Sequence, residues 1–189
     1  MVKHLKDELR KEILEKRSSL SKDEVITLSI SIAKNLFEQK EFTDAKVVGF
    51  YLPKGNEVDT RKMIEYALEK KKEIVVPVTD SEVKFYKFIS FDDLIPGKFN
   101  VLEPKTRILP SKEPDLIITP GVCFGLCMHR VGYGKGYYDV HLSKSKAYRI
   151  GICYDFQVVE KLPTHAHDQK MNCIITEKRI ICSSKEGQD

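Results

Sequence analysis

Leu5, Leu9 and Ile13 recur every four residues among charged neighbours, a spacing that predicts a helix over 3–17 with one apolar face. Ser18-Ser19 interrupts the pattern, and Ser21 with Glu24 then makes a capping-box signature. A second helix follows, with Val25, Leu28, Ile32 and Leu36 on one side. At 46–52 the pattern changes to a continuous apolar run, Lys-Val-Val-Gly-Phe-Tyr-Leu, which reads as a buried strand closed by a turn at Pro53 to Asn56. Asp59 or Thr60 can cap a third helix carrying Met63, Ile64, Ala67 and Leu68. Residues 74–78 are apolar, and at 83–88 Val83, Phe85 and Lys87 alternate with Lys84, Tyr86 and Phe88, which predicts a hairpin.

From 89 to 114 the chain is rich in Pro, Gly and Lys and predicts a long irregular segment. Asp115 to Thr119 reads as a short buried strand ending at Pro120-Gly121. A helix over 137–145, strands at 148–153 and 173–176, and a short last strand over Arg179 to Ile181 complete the pattern. Short apolar strands alternating with helices predict an α/β protein with a largely parallel sheet. In such sheets ligands collect beyond the carboxyl ends of the strands. No repeat is present, and the irregular stretch separates strands that need one another, so residues 1–189 are expected to form a single domain.

Composition narrows the class. With 41% hydrophobic and 32% charged residues the chain reads as globular. Met1 to Arg17 is charged throughout and lacks the apolar core of a signal peptide, and no stretch has the length of a membrane span. The expectation is a cytoplasmic protein without membrane contact. A net charge of +4 suits an anionic ligand but falls short of a dedicated nucleic-acid binder. The five cysteines are an odd number in a chain with no export signal, and reduced thiols in the core are expected.

The strongest chemical signal is Arg130-Val131-Gly132-Tyr133-Gly134-Lys135-Gly136-Tyr137-Tyr138-Asp139. Glycine backbones can turn sharply and present successive N–H groups to an anion. Lys135 adds a mobile charge and Arg130 a planar fork suited to phosphate or carboxylate. Asp139 offers hard oxygens that suit Mg²⁺. The run is not a Walker A loop, because Gly136 rather than Ser or Thr follows Lys135, and the glycine spacing is wrong for a dinucleotide fingerprint. An RNA-recognition strand is excluded by Tyr138 and Asp139 at the positions of a small residue and an aromatic. His165, His167, Asp168 and Cys173 do not have the spacing of a zinc finger.

Arg130 to Asp139 resembles the signature of the 5-formyltetrahydrofolate cyclo-ligases, also called methenyltetrahydrofolate synthetases. Other segments agree in order: Lys6 with Leu9-Arg10; Tyr51-Leu52-Pro53 followed by Glu57 to Thr60; Asp115 to Val122 with Phe124; and Gln157-Val158, Leu162-Pro163 and His167-Asp168. The resemblance runs from about Lys6 to Thr176. Gly125 stands where the family commonly has Asp, and Met128 where it commonly has Gly, so the Cys127-Met128-His129 entrance to the loop departs from the pattern.

The resemblance implies a three-layer α/β/α sandwich, similar to ribose-phosphate isomerases and CoA transferases. It also implies ATP- and Mg²⁺-dependent cyclisation of 5-formyltetrahydrofolate to 5,10-methenyltetrahydrofolate. Gly132, Tyr133, Gly134, Lys135, Gly136, Tyr137 and Tyr138 would hold ATP with Lys6, Arg10 and Arg130. Lys135 and Arg130 would neutralise growing charge, and Asp139 and Asp168 would hold Mg²⁺. Glu57 would bind the pterin, with Leu52 and Tyr133 lining its pocket and Gly134, Lys135, Gly136 and Tyr137 also touching the folate. The expected partners are 5-formyltetrahydrofolate and ATP, with no nucleic acid, and the expected state is a monomer. Other readings stay open on the sequence: Lys6 and Arg10 as a solvated helix face, Tyr137 and Tyr138 as core aromatics, Glu57 as a surface or helix-start acid, and Asp139 as a helix cap or a partner of Arg149. A sugar-phosphate isomerase or CoA transferase needing no ATP, or a nucleic-acid binder, are the alternative functions.

Overall fold

The computed structural model describes residues 2–80 and 82–183. In chain order the helices are α1 (Val2–Ser18), α2 (Lys22–Phe37), α3 (Lys40–Asp44), α4 (Arg61–Glu69) and α5 (Tyr137–Lys144). The strands are β1 (Val47–Gly49), β2 (Glu73–Thr79), β3 (Val83–Lys87), β4 (Leu94–Pro96), β5 (Leu102–Pro104) and β6 (Leu116–Thr119). They continue with β7 (Cys123–Gly125), β8 (Arg130–Val131), β9 (Tyr148–Ile152), β10 (Val158–Val159), β11 (Cys173–Ile175) and β12 (Ile180–Cys182).

The main sheet has the order β12-β11-β9-β6-β1-β2-β3. Its inner strands run parallel, and only the edges β12 and β3 are antiparallel. Strand pleating divides the apolar residues between two faces. Val48, Ile74, Val76, Leu116, Ile118, Ile150 and Ile152 pack under α2 and α4, against Ile32, Leu36, Met63 and Ile64. Val47, Val75, Ile117 and Ile174 face the other way, toward Leu142 of α5 and toward Phe124. The three-layer α/β arrangement follows directly. The small sheet β10-β7-β8 joins α5 in the second outer layer, and α1 covers it through Ile13, which packs with Val122, Cys123, Val131 and Leu162.

The capping box at Ser21 and Glu24 is formed, with each residue bonding the other's backbone N–H. Differences from the sequence reading are local. The ladder of the 46–52 run ends at Gly49, yet Phe50, Tyr51 and Leu52 stay buried because they continue past the sheet toward the cavity described below. Leu68 is not core: on α4 the buried face is Met63, Ile64 and Ala67, and Leu68 turns outward. The 89–114 segment is not wholly irregular, since β4 and β5 pair within it and buried Glu103 accepts from Thr79 N–H at 3.1 Å. The cysteines are not all thiols. Cys173 and Cys182 lie opposite one another on β11 and β12 and form a disulfide, while Cys123 and Cys153 are buried thiols and Cys127 is exposed. No helix among the described residues is long and apolar enough to cross a membrane.

Candidate active site

A cavity of about 270 Å³ opens at the carboxyl ends of β1, β2 and β6. Tyr51 and Leu52 after β1, Thr79 at the end of β2 and Pro120 after β6 form one wall. These strands lie side by side, and the chain leaves β1 toward β2 on one side and returns to β6 on the other. This reversal is where open α/β sheets leave a crevice.

The glycine run forms the opposite wall. Arg130, Gly132, Tyr133, Lys135, Gly136, Tyr137, Tyr138 and Asp139 all line the cavity, as do Leu52 and Glu57. β8 delivers the run, and α5 begins directly after it. Gly134 has φ +98° and Gly136 φ +70°, left-handed conformations that side chains with a Cβ adopt at a cost. Gly136 is the N-cap of α5, and its carbonyl accepts the first helical bond from Val140 N–H at 3.1 Å. Met128, in the atypical entrance, has φ +68°, which supplies the physical reason for glycine at that position in the family pattern.

Lys6, Arg10 and Gly134 do not line the cavity but close against its outer side. Arg10 Nε donates to Gly132 O at 2.9 Å, and its guanidinium lies beside Gly134. Arg10 Nη1 also pairs with Asp7. Lys6 Nζ donates to Asp168 Oδ2, with the Lys6 and Asp168 side chains only 12% and 8% exposed. The basic face of α1 is therefore docked rather than solvated.

At the Leu52 end, Tyr133 OH donates to Glu57 Oε1 at 2.7 Å, and Glu57 Oε2 accepts from Lys54 N–H at 2.9 Å. Burial and the nearby Glu57 charge push the Tyr133 hydroxyl up, so it remains a donor. Arg17 Nη2 donates in turn to the Tyr133 oxygen. Arg17 stands behind this wall, a contact that the sequence reading missed. It sits on the face of α1 that carries Lys6 and Arg10, three helical turns from Lys6, and that register was the available signal. Lys54 and Phe99, on the cavity rim, were also missed, because both lie in segments without periodicity.

Arg130 is buried and pairs with Asp139 Oδ1 at 2.9 Å, with its guanidinium carbon 5.8 Å from the centre of the Tyr138 ring. The alternative partner, Arg149, instead donates to Leu142 O and Ser145 O at the end of α5. Arg130 Nε and Tyr138 OH have no hydrogen-bond partner among the described residues, although both groups are enclosed. Buried polar atoms in this state call for a ligand or water. Burial also pushes the Tyr138 hydroxyl up.

The two acids expected to hold a metal are neighbours. Gln169 N–H, next in chain to Asp168, donates to Asp139 Oδ1 at 3.1 Å. Asp139 Oδ2 and Asp168 Oδ1 accept no hydrogen bond among the described residues. No group of three or more His, Cys, Asp or Glu side chains among those residues could enclose a metal by itself. This donor set fits Mg²⁺ carried on substrate phosphates, which takes one or two carboxylates and keeps several waters.

Burial opposes ionisation of Asp168, but the Lys6 ammonium and His165 N–H outweigh it and hold the carboxyl below its usual range. The pair therefore stabilises the fold fully above the ordinary carboxylate value of 3.8, and the contribution disappears as pH falls through the lower folded value. Lys6→Met is expected to show a smaller drop in Tm than the wild type between about pH 6 and pH 3. Equal drops in thermal scans would show that the pair contributes nothing.

A mostly parallel α/β/α sandwich with a cavity at its carboxyl edge, walled by a glycine loop and the buried Arg130, defines the class as an α/β ligand-binding protein. The chain belongs to the 5-formyltetrahydrofolate cyclo-ligase family, whose model matches residues 2–177, and it is therefore a ligase of that family. It is 33% identical to a probable 5-formyltetrahydrofolate cyclo-ligase of Schizosaccharomyces pombe, covering 87% of this chain and 92% of the relative. The structure of 5,10-methenyltetrahydrofolate synthetase from Aquifex aeolicus superposes with a TM-score of 0.84 at 38% identity, covering 98% of this chain and 95% of that one. The 5,10-methenyltetrahydrofolate synthetase from Mycoplasma pneumoniae gives 0.71 at 29% identity, covering 91% and 98%.

Proposed function

We propose that the protein converts 5-formyltetrahydrofolate and ATP to 5,10-methenyltetrahydrofolate, ADP and phosphate. The observation that carries this reading is one cavity lined both by Leu52 and Glu57 and by Arg130, Gly132, Tyr133 and Lys135 to Asp139 of the glycine run. The formyl group is amide-like, a poor electrophile with a poor leaving oxygen. Transfer of the γ-phosphoryl group to that oxygen breaks the bond to ADP and makes phosphate the leaving group. The N10 lone pair then attacks the formyl carbon, the carbon–oxygen bond breaks, and the N10 proton is lost to solvent.

The protein's part is positioning and charge neutralisation, as in other phosphoryl transfers. The N–H groups of Gly132 to Gly136 cradle phosphate, and Lys135 and Arg130 balance the charge that develops. Tyr137 and Tyr138 shape that wall, while from α1 Arg10 fixes the loop and Lys6 holds Asp168. Glu57 accepts from the pterin, with Leu52 and Tyr133 against its ring. Asp139 and Asp168 would hold Mg²⁺, which supplies neutralisation of the nucleotide phosphates. The reading is tested by near-ultraviolet absorbance of methenyltetrahydrofolate with purified protein, 5-formyltetrahydrofolate and Mg²⁺. The expected result is a rise that requires ATP. A rise without ATP, or none from folded protein, would overturn it.

A further inference from the structure

We propose that Arg17 is a positioning residue for the folate: it acts through Tyr133 to hold the Glu57 carboxylate in its binding orientation. The inference rests on the proposed function and adds a residue outside the cavity to it. Arg17 and Glu57 side chains are each 7% exposed, with Arg17 Nη1 3.9 Å from Glu57 Oε1. That separation is too long for a direct hydrogen bond. Tyr133 OH fills the interval, taking a bond from Arg17 Nη2 at 2.5 Å and giving one to Glu57 Oε1 at 2.7 Å.

The direction of this relay is fixed by chemistry. A guanidinium has no acceptor and stays charged, so the Tyr133 oxygen must accept from it. The one phenolic proton is then committed to Glu57. Tyr133 and Glu57 line the cavity and Arg17 does not, so Arg17 reaches a ligand only through them. The backbone around the relay is hydrogen-bonded as well. Asn56 Nδ2, next in chain to Glu57, donates to Arg17 O at 3.1 Å and Leu20 O at 2.8 Å. The end of α1 and the Glu57 loop are thereby tied at both backbone and side chain.

The test compares Arg17→Gln, Arg17→Lys, Tyr133→Phe and the double variant Arg17→Gln/Tyr133→Phe in steady-state turnover, with direct titration of 5-formyltetrahydrofolate in the absence of ATP. Removing a charge-assisted hydrogen bond predicts a KM and Kd for 5-formyltetrahydrofolate raised about 10- to 100-fold in Arg17→Gln. KM for ATP and kcat are expected to stay within about threefold, because the helix keeps Lys6 and Arg10 in place. Arg17→Lys is expected to recover part of the affinity, and the double variant to be no weaker than the weaker single variant. A purely structural role would raise both KM values together or lower the folded fraction. If Arg17→Gln does not fold, Tyr133→Phe cuts the same relay with little change in volume. An unchanged folate KM in Tyr133→Phe, equal losses for both substrates, or additive losses in the double variant would overturn the proposal. Wild-type protein without turnover would instead defeat the functional reading itself, and this inference with it, before any variant is compared.

Discussion

Lys135→Ala is expected to lower kcat by about 10²- to 10³-fold, the range for removing one preorganised group that stabilises transition-state charge. The structure separates this effect from folding. Lys135 is exposed on the glycine loop, lines the cavity, and makes no hydrogen bond or ion pair among the described residues. Its charge is not engaged by the protein, so its loss leaves packing untouched. The expected result is wild-type circular dichroism and Tm with KM values changed far less than kcat. Turnover within a few-fold of wild type would remove Lys135 from the chemistry. Lys135→Arg is not a conservative control, because a planar fork cannot follow a moving phosphoryl group as a compact ammonium can.

The second large effect concerns stability as well as turnover. Asp139→Ala leaves Arg130, whose side chain is 3% exposed, without its counter-charge, and also removes the acceptor for Gln169 N–H. Stripping one partner from a buried pair costs about 3 kcal/mol at the lower end of its range, which applies here because Asp139 is 21% exposed. For a chain of this size that corresponds to a fall in Tm of roughly 6–12 °C. Asp139→Asn keeps an oxygen for both donors and is expected to recover most of that fall while remaining nearly inactive, because it lacks the charge proposed for Mg²⁺. A stable and active Asp139→Asn enzyme would show that Asp139 serves only Arg130. Differential scanning calorimetry beside the turnover assay distinguishes these outcomes.

What the sequence made legible was local. The glycine run announced itself because its glycines, lysine and acid are contiguous, and the Ser21–Glu24 box because it spans four residues. Leu52 and Glu57 were assigned by resemblance alone, and their meeting with Tyr133 required the fold. β7, β8 and β10 have three, two and two residues, too few for any alternation to register, although they set the direction in which the loop leaves the sheet. α3 escaped for the same reason. The odd cysteine count pointed away from a disulfide, because only the register of β11 with β12 puts Cys173 opposite Cys182. Arg17 looked like one charge among many until its burial was known.

The contacts of α1 have a consequence for how the site is lost and regained. Lys6–Asp168, Arg10–Gly132 and Arg17–Tyr133 join residues 162, 122 and 116 positions apart. On α1 itself only Ile13 and Arg17 are fully buried. Closing such long loops returns little apolar burial, so undocking of α1 is a cheaper excursion than melting the sheet. During synthesis, α1 can meet the Asn56–Glu57 loop early, but its contacts to Gly132, Tyr133 and Asp168 must wait for the last third of these residues. Loss of the site by undocking of α1 is then expected to need less free energy than unfolding of the sandwich, whose global stability sets the upper bound.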